Sequence, residues 1–248
     1  RMRYNALVSS DWNECLAPCG PFDPILAVYP ELSASLTTVF RMYTSNRITL
    51  GEAVDRIRES LPGPVTEEDM DAYLDKSFMT YRRVPALIDW CLQRGILFLI
   101  NTTGTQGYFQ RILRKALLPR DILVAANPLI RYSEGGGSQH PMIEVLEIQD
   151  KAKNTEKIIR AYGIPAGRVI LIGDSGGDGP HFEWGESNAT HLIGSMTKPS
   201  LEHYCTARGM TIHAHFGISY AEGDPRDLER EMRVDFMGLA GLIEDLLR

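Results

Sequence analysis

The chain has 248 residues, of which 44% are hydrophobic and 23% charged, and a formal net charge of −6. That length buries a substantial core, as one large domain or as a main domain with an insert. The negative balance argues against a nucleic-acid partner, no apolar run reaches the roughly 18 residues of a membrane span, and four cysteines do not make a disulfide framework. Cys15 and Cys19 are the close pair, and a zinc site there would need two more ligands. Arg1-Met2-Arg3 lead straight into a strand-like segment without the apolar stretch of a signal peptide, so the expected location is cytoplasmic.

In chain order, Ala6–Ser9 reads as a first strand, with Asp11 and Asn13 beyond its tip. More than 80 residues without a convincing strand follow before the next strand at Ile96–Ile100. Thr49-Leu50-Gly51-Glu52 fits a capping box and puts Leu50, Val54, Ile57 and Leu61 on one helical face. Leu61-Pro62-Gly63-Pro64 breaks that helix, and Thr66 starts another with Met70, Tyr73, Leu74 and Phe78 as its stripe. A connection this long exceeds what a crossover needs, so residues 18–83 are expected to form a helical cap domain on a core made of residues 1–17 and 84–248.

Pro85 is expected to open a helix with Ala86, Leu87, Trp90 and Cys91 inward and Gly95 as its stop. Further strands are expected at Ile122–Ala125, Val169–Ile172, His191–Ile193 and Thr211–His215, and helices at Gln106–Leu113, Lys151–Tyr162 (stopped by Gly163), Pro199–Arg208 and around Leu239–Leu247. Gly135-Gly136-Gly137 reads as a flexible turn, and Met142–Ile148 alternates like a strand, which suggests a hairpin or flap. The alternation predicts an α/β fold with a doubly wound, Rossmann-like parallel sheet.

Ligands of such sheets bind beyond the carboxyl ends of the strands. There the sequence offers Asp11 and Asn13, then Thr102-Thr103-Gly104, then Lys151 opening a helix, then Asp174-Ser175-Gly176-Gly177-Asp178. Magnesium takes few protein oxygens and keeps room for a phosphate, and Asp11 and Asp174, with Asp178 nearby, suit that role. A carboxylate also serves as nucleophile, forming an aspartyl-phosphate. Thr102 and the amides behind it, at the start of the following helix, suit phosphate oxygens, and Lys151 adds positive charge.

These four motifs in this order resemble the haloacid dehalogenase superfamily, most of whose members are magnesium-dependent phosphatases. The family's Asp-x-Asp motif is matched by SDWNE, its Ser/Thr motif by LINTT, its helix-opening Lys by KAKNTEKIIRAYGIP and its GDxxxD by GDSGGD. A helical cap just after the first motif resembles the phosphoserine-phosphatase-like branch, and RITLGEAVDRIRESLP is similar to the cap of methylthio-ketopentenyl phosphate phosphatases. The resemblance implies a phosphomonoester hydrolase acting on a small phosphorylated metabolite. It implies Asp11 as nucleophile, Thr102 or Thr103 and Lys151 as phosphate-binding residues, and Asp11, the Asn13 carbonyl, Asp174 and Asp178 around Mg2+. Lys151 competes with Lys153, but 23 residues to Asp174 and 12 to Gly163 match the family at Lys151, as seven residues from Gly95 favour Thr102.

Asn13 is the departure. The family's phosphatases use an aspartate there to protonate the leaving group and then to activate water. An amide cannot do this, so about 10²–10⁴-fold of acid–base help is missing. Three explanations stay open: a variant or slow enzyme, a degenerate relative that binds a phosphorylated metabolite or a protein, and a deliberate Asp-to-Asn substitution. Carbon–halogen or phosphonate cleavage lacks the supporting residues. His213-x-His215 is expected to share a strand face as packing or surface rather than as a metal site, and Arg82 and Arg83 close the insert, more as solvated arginines than as substrate contacts.

Overall fold

The computed structural model describes residues 4–133 and 140–248, and the Gly135-Gly136-Gly137 turn and the Arg1-Met2-Arg3 start lie outside them. The first strand, β1 (Ala6–Ser10), leads into a connection holding helices α1 (Asp23–Val28), α2 (Ser33–Thr44), α3 (Leu50–Ser60) and α4 (Glu67–Ser77). Next come α5 (Val84–Gln93), β2 (Ile96–Thr105), α6 (Gln106–Arg114), β3 (Leu123–Asn127), β4 (Ile143–Glu144) and α7 (Asp150–Tyr162). The chain closes with β5 (Val169–Gly173), α8 (Gly179–Ser187), β6 (His191–Thr197), α9 (Pro199–Ala207), β7 (Ala214–Ser219), α10 (Leu228–Met232) and α11 (Gly238–Leu246).

The described strands form one parallel sheet of seven in the order β4-β3-β2-β1-β5-β6-β7. Its central strands are buried on both faces, because successive residues point to opposite sides. Val8, Phe98, Ile100, Ile170 and Ile172 pack on one face with Leu87 of α5, Phe109 of α6 and Ile243 of α11. Leu7, Leu97, Leu99, Val169 and Leu171 pack on the other with Ile158 of α7, Phe182 of α8 and Leu201 of α9. This is the doubly wound α/β arrangement expected from the alternation.

The expected capping box forms, and a second accompanies it. Thr49 and Glu52 exchange hydrogen bonds at the start of α3, and Thr66 and Asp69 do so at the start of α4. The buried face of α3 carries Leu50, Val54 and Ile57, and that of α4 carries Met70, Tyr73 and Leu74, as the spacing predicts. The 18–83 stretch is tied to the rest of the chain by polar contacts. Arg111 of α6 grips Asp71 of α4 at 2.8 Å, and Glu147 accepts the Leu50 and Gly51 amides at 3.1 and 3.0 Å.

Four expectations need correction. The strand expected at Thr211–His215 begins at Ala214, because the His213 ring accepts the Leu192 amide at 2.9 Å, in place of a strand carbonyl. His213 therefore precedes the strand and does not share its face with His215. The Met142–Ile148 alternation yields a two-residue strand parallel to β3, not a hairpin, with Val145 donating its amide to Ala126 O at 3.0 Å. In α5 the inward residues are Val84, Leu87, Ile88, Cys91 and Leu92, while Ala86 is exposed and Trp90 is half-buried under Arg94. Finally, β2 runs on to Thr105, so Thr102 and Thr103 lie inside its distal end rather than after it.

Among the described residues, no helix is long and apolar enough to cross a membrane.

Candidate active site

The sheet brings Asp11, Asn13, Thr102, Thr103, Lys151, Asp174 and Asp178 to one edge, at the carboxyl ends of β1, β2 and β5. Asp11 extends β1, donating its amide to Ile172 O at 2.9 Å, and its Oδ1 accepts the Trp12 amide at 2.7 Å. Trp12 is fully buried, stands edge-on to Phe109 and donates its indole N–H to Tyr108 Oη at 3.3 Å. A large anchored side chain thus fixes the backbone between the two candidate residues.

Lys151 sits in the first turn of α7 and is almost wholly buried. Its Nζ lies 2.7 Å from Asp178 Oδ1 and 3.2 Å from Asp11 Oδ2. Behind it a polar network fixes the turn. Asn101 Nδ2 donates to Lys151 O at 2.8 Å, Ser9 and Thr155 share a hydrogen bond at 2.9 Å, and Thr155 meets His181 Nε2 at 2.8 Å. Burial, then the Lys151 charge, pushes His181 down to about 3, so its imidazole is neutral at physiological pH.

Asp178 closes the turn after β5, accepting the Asp174 amide at 2.9 Å. Gly173 permits this approach, since a Cβ there would stand 2.7 Å from Asp178 Cγ. Asp174 Oδ2 accepts from Lys198 Nζ at 2.9 Å, whereas its buried Oδ1 has no hydrogen-bond partner among the described residues. Asp11, Asp174 and Asp178 each offer an oxygen, and these lie within 4.8 Å of one another. Three hard oxygen donors, one of them orphaned, fit a divalent cation such as Mg2+.

Burial and the neighbouring Asp178 push Asp11 up to about 6, against the pull of Lys151. Burial drives Asp174 well above the usual carboxylate range, an effect that Lys198 only reduces. For Asp178 burial also pushes upward, but the Lys151 ammonium outweighs it and holds the carboxyl low. Lys151 is itself raised, because its two carboxylates overcome the cost of burial. The cluster is thus overloaded with negative charge at Asp11 and Asp174 and balanced at Asp178.

The threonines are more committed than their sequence suggests. Thr102 Oγ1 donates to Asn13 Oδ1 at 3.2 Å and accepts the Gly104 amide at 3.0 Å. Thr103 Oγ1 pairs with Tyr43 Oη at 2.9 Å. At the start of α6 the Gly107 amide is taken by Ile130 O at 2.7 Å. The Asn13 amide spans its surroundings, with Nδ2 donating to Cys19 O at 3.3 Å. A carboxylate at this position would face the Cys19 carbonyl as a second acceptor.

Two residues at the site escaped the sequence reading. Lys198 follows the tip of β6, which runs four residues past the Ile193 end expected from the sequence, so the rule that located the other residues did not reach it. Its Nζ also donates to Glu14 O at 3.1 Å. Tyr43 left no such signal, because only the docking of α2 brings it to the sheet. The other candidates are structural. Arg83 pairs with Asp235, His215 lies 3.2 Å from Glu202, and the four cysteines are free thiols outside the acidic cluster. A cavity of about 260 Å³ is lined by Glu14, Asp23, Arg226, Phe22, Leu36 and Phe40.

No protein-family model matches the chain, and no curated protein matches it in sequence. Solved structures do match. A substrate-bound phosphoserine phosphatase superposes with a TM-score of 0.68 at 15% identity, covering 97% of this chain and 99% of that one. A HAD family hydrolase from Salmonella enterica serovar Typhi gives 0.65 at 14% identity, over 88% and 69%. A cytosolic 5'-nucleotidase IIIB bound to cytidine gives 0.58 at 18% identity, over 98% and 86%. At these identities the likeness is one of fold, and it extends over nearly the whole chain.

Proposed function

We propose that this chain, which has the fold of the haloacid dehalogenase phosphatases, is a magnesium-dependent hydrolase of a small phosphomonoester. The observation that carries this reading is the charge arrangement at the strand tips. Lys151 is shared by Asp11 and Asp178, and the orphaned Asp174 Oδ1 lies in the same cluster. Asp11, Asp174, Asp178 and the Asn13 carbonyl would hold Mg2+, which supplies charge neutralisation for the phosphoryl oxygens.

Asp11 Oδ2 is the nucleophile. It forms a bond to phosphorus as the bond to the leaving alkoxide breaks, and the resulting aspartyl-phosphate is cleaved when water attacks phosphorus, releasing phosphate and restoring Asp11. Lys151 offsets charge on Asp11 and on the transferring group, and Thr102 with neighbouring amides orients it. Asn13 cannot protonate the alkoxide or deprotonate the water. Both steps therefore draw on solvent, and the second is expected to limit turnover. Residues 18–83 act as a helical cap on the core of residues 1–17 and 84–248, with the cavity beside Glu14 admitting the leaving group. The four unpaired thiols favour a reducing compartment, the cytoplasm.

The amide at position 13 also favours a second reading, in which the protein binds a phosphorylated metabolite and turns it over poorly. One experiment separates the two: hydrolysis of generic phosphoesters by the protein and by Asn13→Asp, with and without Mg2+. The enzyme reading expects magnesium-dependent turnover by the protein with Asn13, fastest for esters with good leaving groups. It expects Asn13→Asp to be faster by about 10²-fold or more. Inertness of both forms, with phosphate and metal still bound, leaves only the binding protein.

A further inference from the structure

Tyr43 is the point at which the 18–83 connection reaches the strand tips. It lies in the last turn of α2, nearly buried, with its ring edge-on to Phe40 at 5.9 Å and Phe40 edge-on to Phe22 at 6.2 Å. This aromatic row leaves the hydroxyl at its inner end. There it meets Thr103 Oγ1 at 2.9 Å, and a Cβ on Gly177 would stand 3.8 Å from it. The hydroxyl is therefore wedged between the distal end of β2, which carries Thr102 and Thr103, and the Gly176–Asp178 turn, which carries one partner of Lys151. Burial pushes the phenol up to about 12, with the Thr103 hydrogen bond and Lys151 pulling the other way, so it keeps its proton and can donate.

A phosphoryl group on Asp11, facing Lys151 and the β2 tip, would bring its peripheral oxygens among these same elements. Thr102 can donate to that group only by giving up Asn13, and the Gly104 amide is held by Thr102, so a further neutral donor strengthens the grip. A hydrogen bond from a neutral hydroxyl to an anionic oxygen is stronger than one to another hydroxyl. We propose that Tyr43 is a substrate-binding residue, whose hydroxyl bonds to Thr103 in the unliganded site and donates to a phosphoryl oxygen in the loaded one.

This inference rests on the phosphoryl-transfer reading, and the experiment separates the two. Calorimetric titration measures the binding of inorganic phosphate with Mg2+ present, and of Mg2+ alone, to the natural protein and to Tyr43→Phe, alongside thermal midpoints. The variant is expected to bind phosphate about tenfold more weakly or worse, with Mg2+ affinity and midpoint little changed. Equal phosphate affinity in both proteins overturns the role of Tyr43 and leaves the enzyme reading standing. A parallel loss of phosphate and metal binding also overturns it, since that marks a residue acting only on the fold. A natural protein that ignores phosphate altogether overturns the phosphoryl-transfer reading, and the role of Tyr43 with it.

Discussion

Two buried ionic clusters in this molecule differ in how far their polar atoms are satisfied. Near the C-terminus, the fully buried Glu231 accepts from Tyr81, from Tyr220 at 2.5 Å and from Arg226 at 3.0 Å, so that both its oxygens are engaged. Arg226 in turn reaches Pro18 O at 2.9 Å and Glu14 at 3.2 Å at the start of the 18–83 connection, and Tyr81 Oη at 3.3 Å near its end. At the strand tips, three carboxylates share two lysines, and one Asp174 oxygen has no partner. A cluster that holds the fold together uses all its hydrogen-bonding capacity internally. A cluster that binds something keeps capacity in reserve and carries electrostatic strain until a ligand arrives.

Paired substitutions test that contrast. Asp174→Asn removes a buried charge that the fold disfavours and, on the proposed function, a metal ligand. Activity is expected to fall about a thousandfold or more, with a thermal midpoint equal to or above that of the natural protein. Glu231→Gln should do the opposite. An amide N–H₂ turned toward Arg226 and two phenols is expected to cost about 2 kcal/mol and lower the midpoint by about 5 °C, while activity per folded molecule is kept. A midpoint that falls for Asp174→Asn and holds for Glu231→Gln would reverse the assignment of strain.

The smallest effect concerns pH. Asp11 binds its proton more tightly in the folded, metal-free protein, at about 6 against an ordinary 3.8. Its contribution to stability is therefore present below the ordinary value and lost as pH rises through about 6. On the proposed function the metal takes the ionised form, so Mg2+ affinity is expected to weaken by up to about tenfold per unit below pH ~6. Thermal shift with and without Mg2+, at acid and neutral pH, measures this. Equal stabilisation at both would remove Asp11 from the metal site.

Most of the candidate site was legible because Asp11 and Asp174 stand where apolar runs end and Lys151 opens a well-marked helix. Val8-Ser9 before Asp11 and Ile170-Leu171-Ile172 before Asp174 announce buried parallel strands, and Gly163 marks the end of the helix that Lys151 opens. Lys198 was not legible, because β6 runs on to Thr197, past the end its apolar residues mark. The Met142–Ile148 segment was not, because its alternation mixes unrelated demands. Val145 is buried, Glu144 O takes the Asn154 amide at 3.0 Å, and Glu147 serves a helix elsewhere. Tyr43 was illegible for a different reason, since its role depends on where α2 docks, and no local period encodes that.

The double contact of Glu147 with α3 bears on the order of assembly. Helix α3 carries its own start signal in Thr49 and Glu52, so it can form as soon as it is made. The carboxylate that seats it comes 97 residues after Leu50, beyond β2 and β3. During synthesis α4 can meet Arg111 and α2 can meet Thr103 first, whereas the start of α3 lacks its carboxylate until the chain has passed Glu147, and that contact waits on a long-range closure. Lys151 follows Glu147 by only four residues, so the segment that seats α3 and the turn that presents the site's central cation emerge together.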